Sequence, residues 1–214
     1  MQILLETANA GEVREALAWR VIDGVMTDPG LMASEGAEKS DLVLELLELV
    51  QGPVMVEITA GDTAAMIDEG RGLASLGDRV IVRVPAIAAG IPAIAALADE
   101  RIPVDASLCF SVSQALLAAK AGARFLSPPV GAVDEGGGDG LTLVSSILTM
   151  LDQFDFKTAV VVAALEHPGH VSESARMGAD GAAVSLDLLR RLVEHPLTDA
   201  HRRDHLERWR RAQH

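Results

Sequence analysis

Eight short apolar runs, separated by longer amphipathic segments, constrain the fold of this chain more than any other feature. The runs are QILLET (2–7), VIDGVMT (21–27), PVMVEIT (53–59), RVIVRVP (79–85), IPVDASLCF (102–110), ARFLSPP (123–129), KTAVVVAAL (157–165) and GAAVSL (181–186). Most are apolar along nearly their whole length, which is typical of strands buried on both faces. Segments with an apolar stripe at helical spacing lie between them, at 41–50, 63–76, 91–100, 111–122 and 142–154.

Strands that alternate with helices pair in parallel through right-handed crossovers. Eight such units within 214 residues predict a single-domain (β/α)8 TIM barrel that spans residues 1–214, with an additional C-terminal helix. An open doubly wound sheet is the alternative, but it normally has a glycine-rich phosphate turn after its first strand. The segment ETANAGE at that place is no such turn. The glycine-rich VDEGGGDG (133–140) is predicted to be a loop before a helix that begins near Leu141.

The composition narrows the classes of partner and compartment. A formal net charge of −13 argues against nucleic-acid binding, because an acidic surface repels the phosphate backbone. The single cysteine, Cys109, can form no disulfide within the chain, which fits a reducing cytoplasm. The N-terminus lacks the pattern of a signal peptide, and no apolar run approaches the ~20 residues that span a membrane. We therefore expect a cytoplasmic protein that binds neither nucleic acid nor membrane.

Polar residues interrupt five successive apolar runs, each near its C-terminal end. They are Glu6, Asp28, Glu57, Arg83 and Asp105, with Ser107 close behind Asp105, and Glu166 and His167 follow the seventh run. A charged group inside an apolar strand costs several kcal/mol unless it is paired or solvated. Since active sites of closed barrels lie at the C-terminal ends of the strands, this pattern predicts a shared pocket for a small-molecule ligand. The alternative is a structural ion-pair layer that fills the barrel centre.

The same segments, in the same order, resemble the small transaldolase and fructose-6-phosphate aldolase family. The resemblance is carried by LLET, GVMTDPG, VEITA, VIVRVPAI, GIPVDASLCFS, FLSPPV and GADGAAVSLDLL, and the tail HPLTDAHRRDHLERW resembles the family's terminal helix. It implies a (β/α)8 barrel and sugar chemistry through a Schiff-base lysine on the fourth strand. It also implies rings of five subunits or stacked pairs of rings, so we predict a pentameric or decameric homo-oligomer.

Set against that family, the chain departs from the pattern at the catalytic positions. The resemblance places Arg83 where the Schiff-base lysine belongs. Glu6 stands for the aspartate of strand 1, and Asp28 stands for the asparagine of a threonine-asparagine-proline motif that begins here with Thr27. On strand 5, Asp105 and Ser107 correspond to an asparagine and a threonine.

Other family positions are either kept or made smaller. Glu57 matches the transaldolase glutamate that helps to handle the catalytic water. The serine and arginines of the phosphate site correspond to Ala164, Gly169 and Ala132, and the tyrosine of the aldolase branch corresponds to Pro129. The resemblance therefore implies a site that has lost its phosphate ligands while its catalytic positions stayed polar.

Imine chemistry needs an amine that can lose its proton, and a guanidinium stays protonated. The three lysines, Lys39, Lys120 and Lys157, fall in helical segments or at the start of the seventh strand. We therefore predict lyase-, isomerase- or hydrolase-type acid–base chemistry on a small, non-phosphorylated, polyhydroxylated or cationic substrate. Two alternatives remain open: a pseudoenzyme that acts as a binding or scaffold protein, and a residual aldolase that uses a lysine elsewhere.

Four carboxylates around one arginine cannot all ionise freely. A divalent cation could neutralise them, one carboxyl group could keep its proton, or Arg83 could pair with two of them. We predict no cofactor and leave the metal content open. Catalytic roles are predicted for the six strand-end residues Glu6, Asp28, Glu57, Arg83, Asp105 and Ser107, and substrate contacts for Thr27, Glu166 and His167. The histidines of the segment 166–170 are a weak metal or acid–base signal, and a solvated loop is predicted there.

Overall fold

A computed structural model describes residues 1–213 as a closed barrel of eight parallel strands. Each strand pairs with the next along the chain, and β8 closes the barrel on β1. The strands are β1 (Gln2–Glu6), β2 (Gly24–Met26), β3 (Val54–Glu57), β4 (Val80–Pro85), β5 (Val104–Ser107), β6 (Phe125–Leu126), β7 (Ala159–Val162) and β8 (Gly181–Val184). The predicted (β/α)8 barrel is thereby confirmed.

The described residues form eleven helices, most of which surround the barrel. They are α1 (Ala10–Leu17), α2 (Pro29–Glu35), α3 (Lys39–Leu49), α4 (Thr63–Ala74), α5 (Gly90–Asp99), α6 (Val112–Lys120), α7 (Val130–Glu135), α8 (Gly140–Gln153), α9 (Pro168–Met177), α10 (Leu186–Arg191) and α11 (Pro196–Ala212). The five predicted helices correspond to α3, α4, α5, α6 and α8, and the additional C-terminal helix corresponds to α11. The other helices are short or, like α9, contain too few apolar residues to form a clear stripe in the sequence.

One loop prediction was confirmed at its centre, and a second was wrong. Residues 136–139 form the predicted loop and α8 begins at Gly140 with Asp139 as its N-cap, although α7 extends into the segment as far as Glu135. The segment 166–170 begins a helix, since His167 is the N-cap of α9 and Pro168 occupies its first position. Proline is favoured at that position because it donates no backbone hydrogen bond, and this signal was available in the sequence.

Two apolar layers stabilise the barrel and fix where the polar residues lie. Side chains on the outer face of the sheet pack against the helices, and a smaller cluster fills the barrel interior. The inner cluster consists of Leu4, Met26, Met55, Ile81, Val161, Ala163 and Ala183. Because side chains alternate between the two faces of a strand, the next interior positions lie two residues further on. In β1 to β4 those positions are Glu6, Asp28, Glu57 and Arg83.

Side-chain caps begin many of the helices. Each cap accepts a hydrogen bond from the backbone N–H three residues later, which contributes ~0.5–2 kcal/mol per helix. The caps are Asn9, Asp28, Asp62, Ser111, Asp139 and Ser185. Most of them lie just beyond the C-terminal end of a strand, so the same local chemistry that starts the helices also orders the rim of the barrel.

The C-terminal helix α11 differs from the others because none of its residues is buried. Leu197 and Trp209 are 62% and 64% exposed, and Val193 in the preceding turn is 66% exposed. None of the helices formed by residues 1–213 is long and apolar enough to cross a membrane.

Candidate active site at the C-terminal end of the barrel

The centre of the site is set by strand register. Glu57 on β3 pairs with Arg83 on β4, and Arg83 pairs with Asp105 on β5. Neighbouring parallel strands lie about 4.8 Å apart with paired side chains on the same face, so the three charged groups are brought into contact inside the barrel. The structure thus brings these three strand-end residues together, as predicted.

Arg83 is 5% exposed and connects three strands. Its Nε donates to Asp105 Oδ2 at 2.9 Å, and its Nη1 donates to the backbone oxygen of Thr27 at 2.9 Å. Nη1 also lies 3.4 Å from Glu57 Oε2. Nη2 makes no hydrogen bond to any residue within 1–213. Burial opposes the charged guanidinium, but Asp105, Glu57 and Glu6 outweigh it and raise the pKa of Arg83, so this side chain is a permanent cation.

Asp105 is fully buried and has a second partner that the sequence reasoning missed. Ser127 Oγ, just after β6, lies 2.8 and 2.9 Å from the two carboxylate oxygens of Asp105. Ser127 lies two residues after Phe125, so it occupies the interior position at the end of β6. The signal in the sequence is the same two-residue alternation that places the charged residues of the other strands in the interior.

Burial raises the pKa of both glutamates that line the cavity, Glu57 and Glu6. Burial raises the pKa of Glu57, which is 7% exposed, and Arg83 only partly opposes this effect. Burial likewise raises the pKa of Glu6, again against Arg83, and the nearby carboxylate of Asp28 adds to the rise. A carboxyl group that keeps its proton closer to neutral pH can both donate and accept protons there.

Ser107, the last residue of β5, has a fully buried Oγ with no hydrogen-bond partner of good geometry in the described chain. It faces the same interior as Asp105, two residues earlier, and lies close enough to Glu57 to lower the pKa of that carboxyl group slightly. A buried hydroxyl without a partner is costly in a native protein.

Asp28 and Thr27 have structural roles at the end of β2. Asp28 Oδ1 caps α2 by accepting from Leu31 N at 2.9 Å, and the residue also lines the cavity. Thr27 is fully buried, and its backbone oxygen, rather than its side chain, contacts Arg83. The predicted substrate contact by Thr27 stays a prediction.

The charged residues line one side of a cavity of about 360 Å³ that opens at the C-terminal ends of the strands. Glu6, Asp28, Glu57 and Arg83 form that side. The remaining wall is uncharged and consists of Pro29, Leu108, Phe110, Ser127, Pro129, Ala132, Ala163 and Ala164. A volume of this size suits a small molecule. Three of the positions that the resemblance connects with phosphate binding or with the aldolase tyrosine, Pro129, Ala132 and Ala164, belong to this uncharged wall.

The cavity wall also contains strained backbone. Leu108 and Ala164 have φ angles of 52° and 53°, which non-glycine residues rarely adopt. Each follows a barrel strand, and the surrounding contacts must hold it in place. Gly131 permits a close approach near Ala164, because a Cβ at this glycine would lie 2.5 Å from the Ala164 backbone oxygen.

Glu166 and His167 are exposed and lie outside the cavity wall. The buried histidine of this segment is His170, whose Nε2 lies 3.2 Å from Asp134 Oδ2 and whose ring is 3.7 Å from that of His167. Burial, and next the neighbouring His167, lower the pKa of His170. This cluster connects α7 to α9 beside the rim.

Lys39 lies nearer to the rim than its place in a helix implied. Its Nζ forms an ion pair with Glu69 at 2.6 Å and lies 3.3 Å from the backbone oxygen of Glu57 and from Thr59 Oγ1. Three oxygens therefore surround the ammonium, and Lys39 is not part of the cavity wall. Lys157 is an exposed surface residue that precedes β7.

Within residues 1–213, no group of three or more His, Cys, Asp or Glu side chains is arranged to hold a metal ion. A second cavity of about 290 Å³ opens at the opposite end of the barrel, beside Arg79 and Phe125. Catalysis in barrels of this type takes place at the C-terminal end, so the cavity beside Arg83 is the candidate active site.

Comparison with known proteins identifies relatives over nearly the whole chain. Residues 3–214 match the family described as Transaldolase/Fructose-6-phosphate aldolase. A "Probable transaldolase" of Aquifex aeolicus (strain VF5) is 43% identical over 99% of this chain and 98% of its own length. A "Probable transaldolase" of Kosmotoga olearia is 44% identical over 93% of this chain and 91% of its own length.

Among solved structures, the chain is similar to inosine 5' monophosphate dehydrogenase from Legionella pneumophila. The TM-score is 0.53 with 18% sequence identity, and the match covers 73% of this chain and 53% of that one. The chain thus spans about half of that structure. Identity this low shows a shared barrel fold and nothing about the reaction.

Proposed function

Because the chain belongs to the transaldolase/fructose-6-phosphate aldolase family, we propose that it is an enzyme of that family with altered acid–base chemistry. Its reaction is of the lyase, isomerase or hydrolase type, on a small, non-phosphorylated, polyhydroxylated or cationic substrate. The observation that carries the proposal is the contact of Glu57 with Arg83, 3.4 Å apart beside the cavity. One group exchanges protons, and the other is a fixed positive charge.

The role of Arg83 follows from its chemistry. A guanidinium neither loses its proton near neutral pH nor attacks a carbonyl, so it forms no imine. It does stabilise a developing oxyanion. Nε and Nη1 are engaged by Asp105 and Thr27, which leaves Nη2 to donate a hydrogen bond to a substrate oxygen. Asp105 and Ser127 are positioning residues that hold the guanidinium plane in place.

Glu57 is the proposed proton carrier. Its raised pKa allows the carboxyl group to accept a proton from a substrate hydroxyl and to return it within one turnover. Asp28, which also lines the cavity, is the second candidate for this role. The positive charge of Arg83 stabilises negative charge on the substrate oxygen while the proton is on Glu57.

Replacing Glu57 by glutamine tests this assignment. The variant keeps the size of the side chain but exchanges no proton, so turnover is expected to fall by about 10²-fold or more. The measurement is product formation on a panel of non-phosphorylated hydroxy-carbonyl compounds, with circular dichroism to confirm folding. Glu45→Gln, on the exposed face of α3, is the matched control. Full activity of Glu57→Gln would remove Glu57 from the mechanism.

Imine chemistry is tested separately by borohydride reduction with dihydroxyacetone or fructose 6-phosphate, followed by mass spectrometry. We expect no lysine adduct, whereas Arg83→Lys, which returns an amine to the same strand position, is expected to give one. An adduct on wild-type protein would support a residual aldolase instead. Lys39 would then be the first residue to examine, because its Nζ lies at the end of β3.

A catalytically inactive binding or scaffold protein is the second candidate function. The observation in its favour is that Arg83 already has partners in Asp105, Glu57 and Thr27, as in a structural ion-pair layer. This candidate predicts no turnover on any compound of the panel, together with a rise in Tm on addition of one ligand or protein partner. Glu57-dependent turnover would exclude it.

We further propose that the protein forms a homo-oligomer, a pentamer or a decamer, as the family resemblance implies. Helix α11 supports this, because a helix of 17 residues with no buried side chain gains stability mainly by contact with another surface. Light scattering tests the proposal, and a monomer at micromolar concentration would contradict it.

A further inference from the structure

Charge is distributed unevenly around the candidate active site. Four charged residues line the cavity, and three of them are carboxylic acids: Glu6, Asp28 and Glu57. The fourth, Arg83, is already neutralised from behind by Asp105 at 2.9 Å. The uncharged wall supplies no cation. When these carboxyl groups are ionised, the cavity has more negative groups than positive ones, and no further cation among residues 1–213 lines the cavity to balance the difference.

The two glutamates that face the cavity have few hydrogen-bond donors. Among residues 1–213, no side chain or backbone N–H donates to the carboxyl oxygens of Glu6, and those of Glu57 have the 3.4 Å contact with Arg83 and the nearby hydroxyl of Ser107. Glu57 is more than nine-tenths buried. Buried carboxyl oxygens without donors are costly, so a ligand that brings donors would gain more here than a ligand that brings acceptors.

The buried hydroxyl of Ser107, beside Glu57, is a second indication of a missing partner. Its Oγ is fully buried, faces the barrel interior beside Glu57 and has no partner of good geometry in the described structure. A hydroxyl can accept a hydrogen bond as well as donate one, so it tolerates either kind of ligand group nearby.

Two further carboxylates lie on the rim beyond the charged wall. After β1, Glu12 accepts from Thr7 Oγ1 at 2.6 Å, and at the end of α2, Glu35 accepts from Asn9 Nδ2 at 3.2 Å. In both contacts the partner is an uncharged group rather than a cation. Carboxylates grouped on one side of an opening raise the local concentration of cations and repel anions.

We propose that the substrate of this site is a small hydroxy- or keto-amine, whose protonated amino group lies against Glu6 and Asp28 and whose oxygen faces Arg83. This inference rests on the proposed function, and it narrows the substrate from polyhydroxylated or cationic compounds to compounds that have both features. The ammonium supplies the positive charge and the donors that the carboxyl groups lack, and the oxygen accepts from the arginine.

An ammonium fits better than a divalent cation. Mg²⁺ and Ca²⁺ require several oxygen ligands converging within about 2.0–2.6 Å, and no such group of acidic side chains is present in residues 1–213. An ammonium has three donors, and it tolerates contacts of about 2.8 Å to carboxylates on different strands. The helix cap already occupies Oδ1 of Asp28, which leaves Oδ2 for such a contact.

Three probes of matched size test the proposal: 3-aminopropane-1,2-diol as the cation, glycerol as the neutral compound and glycerate as the anion. The measurement is binding by calorimetry and by thermal shift, using the wild-type protein in buffer of about 50 mM ionic strength. We expect the amine to bind at least about tenfold more tightly than either of the others. Equal or tighter binding of glycerol or glycerate would overturn the proposal, as would absence of binding by the amine.

The acidic wall is tested with the same amine. Glu6→Gln and Asp28→Asn are each expected to weaken its binding about tenfold, and Glu45→Gln on the outside of α3 is expected to leave it unchanged. Affinity should rise with pH as long as the amine keeps its proton, because burial raises the pKa of Glu6 and Glu57 and their ionisation strengthens the attraction of the ammonium. The other charged groups facing the ligand are Asp28 and Arg83. Unchanged affinity in the Glu6 and Asp28 variants would overturn the assignment.

These binding experiments separate this proposal from the proposed enzymatic function. If the amine fails to bind while Glu57-dependent turnover is found on a neutral compound, the substrate class is wrong and the enzyme assignment stands. If the amine binds through Glu6 and Asp28 and no turnover is found, the binding site is right and the acid–base chemistry is wrong.

Discussion

The two sides of the cavity are formed by different halves of the barrel, and they differ in charge and in the size of their side chains. The side formed by β1 to β5 has charged groups at the last interior position of each strand, from Glu6 to Asp105. The side formed after β6 and β7 has Ser127, Pro129, Ala132, Ala163 and Ala164. The first side holds its geometry through ion pairs and hydrogen bonds, whereas the second is set by backbone contacts between small residues.

One side of the cavity therefore restricts the ligand by charge, and the other restricts it by shape. On the charged side, each group depends on its neighbours, because Arg83 is held by Asp105, Glu57 and Thr27. On the small-residue side, the contacts run between backbone groups, and the short side chains leave space. Substitutions on the charged side should therefore affect stability strongly, and substitutions on the other side should mainly change what binds.

The largest effect is expected from Arg83→Met. It leaves Asp105 and Glu57 as buried carboxylates without a cation, which costs about 3–5 kcal/mol in the free energy of unfolding. Chemical denaturation of wild type and variant measures this directly. The double variant Arg83→Met/Asp105→Asn should be less destabilised than the single one, because the orphaned charge of Asp105 is removed as well. A loss below about 1 kcal/mol in the single variant would mean that the two sides do not differ in this way.

The next largest effect on stability is expected at Ser127, which connects the two sides of the cavity. Ser127→Ala removes the hydroxyl that donates to fully buried Asp105, and a hydrogen bond to a charged group contributes roughly 1.5–3 kcal/mol. The control is Ser146→Ala on the exposed face of α8, where we expect a change within about 0.5 kcal/mol. Equal effects in both variants would show that Ser127 does not stabilise the Asp105 carboxylate.

A smaller, pH-dependent effect is expected from Glu6→Gln. Because burial raises the pKa of Glu6 above its ordinary value of 4.5, the folded protein binds this proton more tightly than the unfolded chain does. Ionisation of Glu6 therefore lowers the free energy of unfolding. The penalty is absent below the unfolded-state pKa and develops as the pH rises through the folded-state pKa. Glu6→Gln should raise Tm at pH 8 by a few degrees and have less effect near pH 4, whereas Glu48→Gln on the surface of α3 should show no such trend. The reverse dependence on pH would contradict a raised pKa.

The smallest effect on stability is expected on the small-residue side. Ala132→Arg places a cation on exposed α7, where a change within about 0.5 kcal/mol is typical. The variant should bind inorganic phosphate more tightly than wild type does, as judged by thermal shift and calorimetry. Binding of phosphate by wild type with similar affinity would show that the uncharged wall does not exclude anions.

Much of the fold and the charged side could be read from the sequence, because both follow from periodicity. Runs buried on both faces, alternating with helical stripes, predicted the closed parallel barrel. The two-residue repeat along each strand then placed Glu57, Arg83 and Asp105 in one layer. Ser127 was not predicted, because no charged residue marks the end of β6 and the uncharged Ser107 and Thr27 were predicted only beside charged neighbours. The helix at Pro168 was not predicted because it contains few apolar residues.

Residue type and strand alternation are local properties, so the amino-acid order alone specifies the charged residues at the ends of five neighbouring strands and the guanidinium on the fourth. Which of these groups touch one another depends on the folded barrel. It paired Arg83 most closely with Asp105, left Glu6 and Glu57 short of donors, and placed Glu166 and His167 outside the cavity. Distances between side chains on different strands depend on the register and closure of the whole barrel, which no single segment specifies.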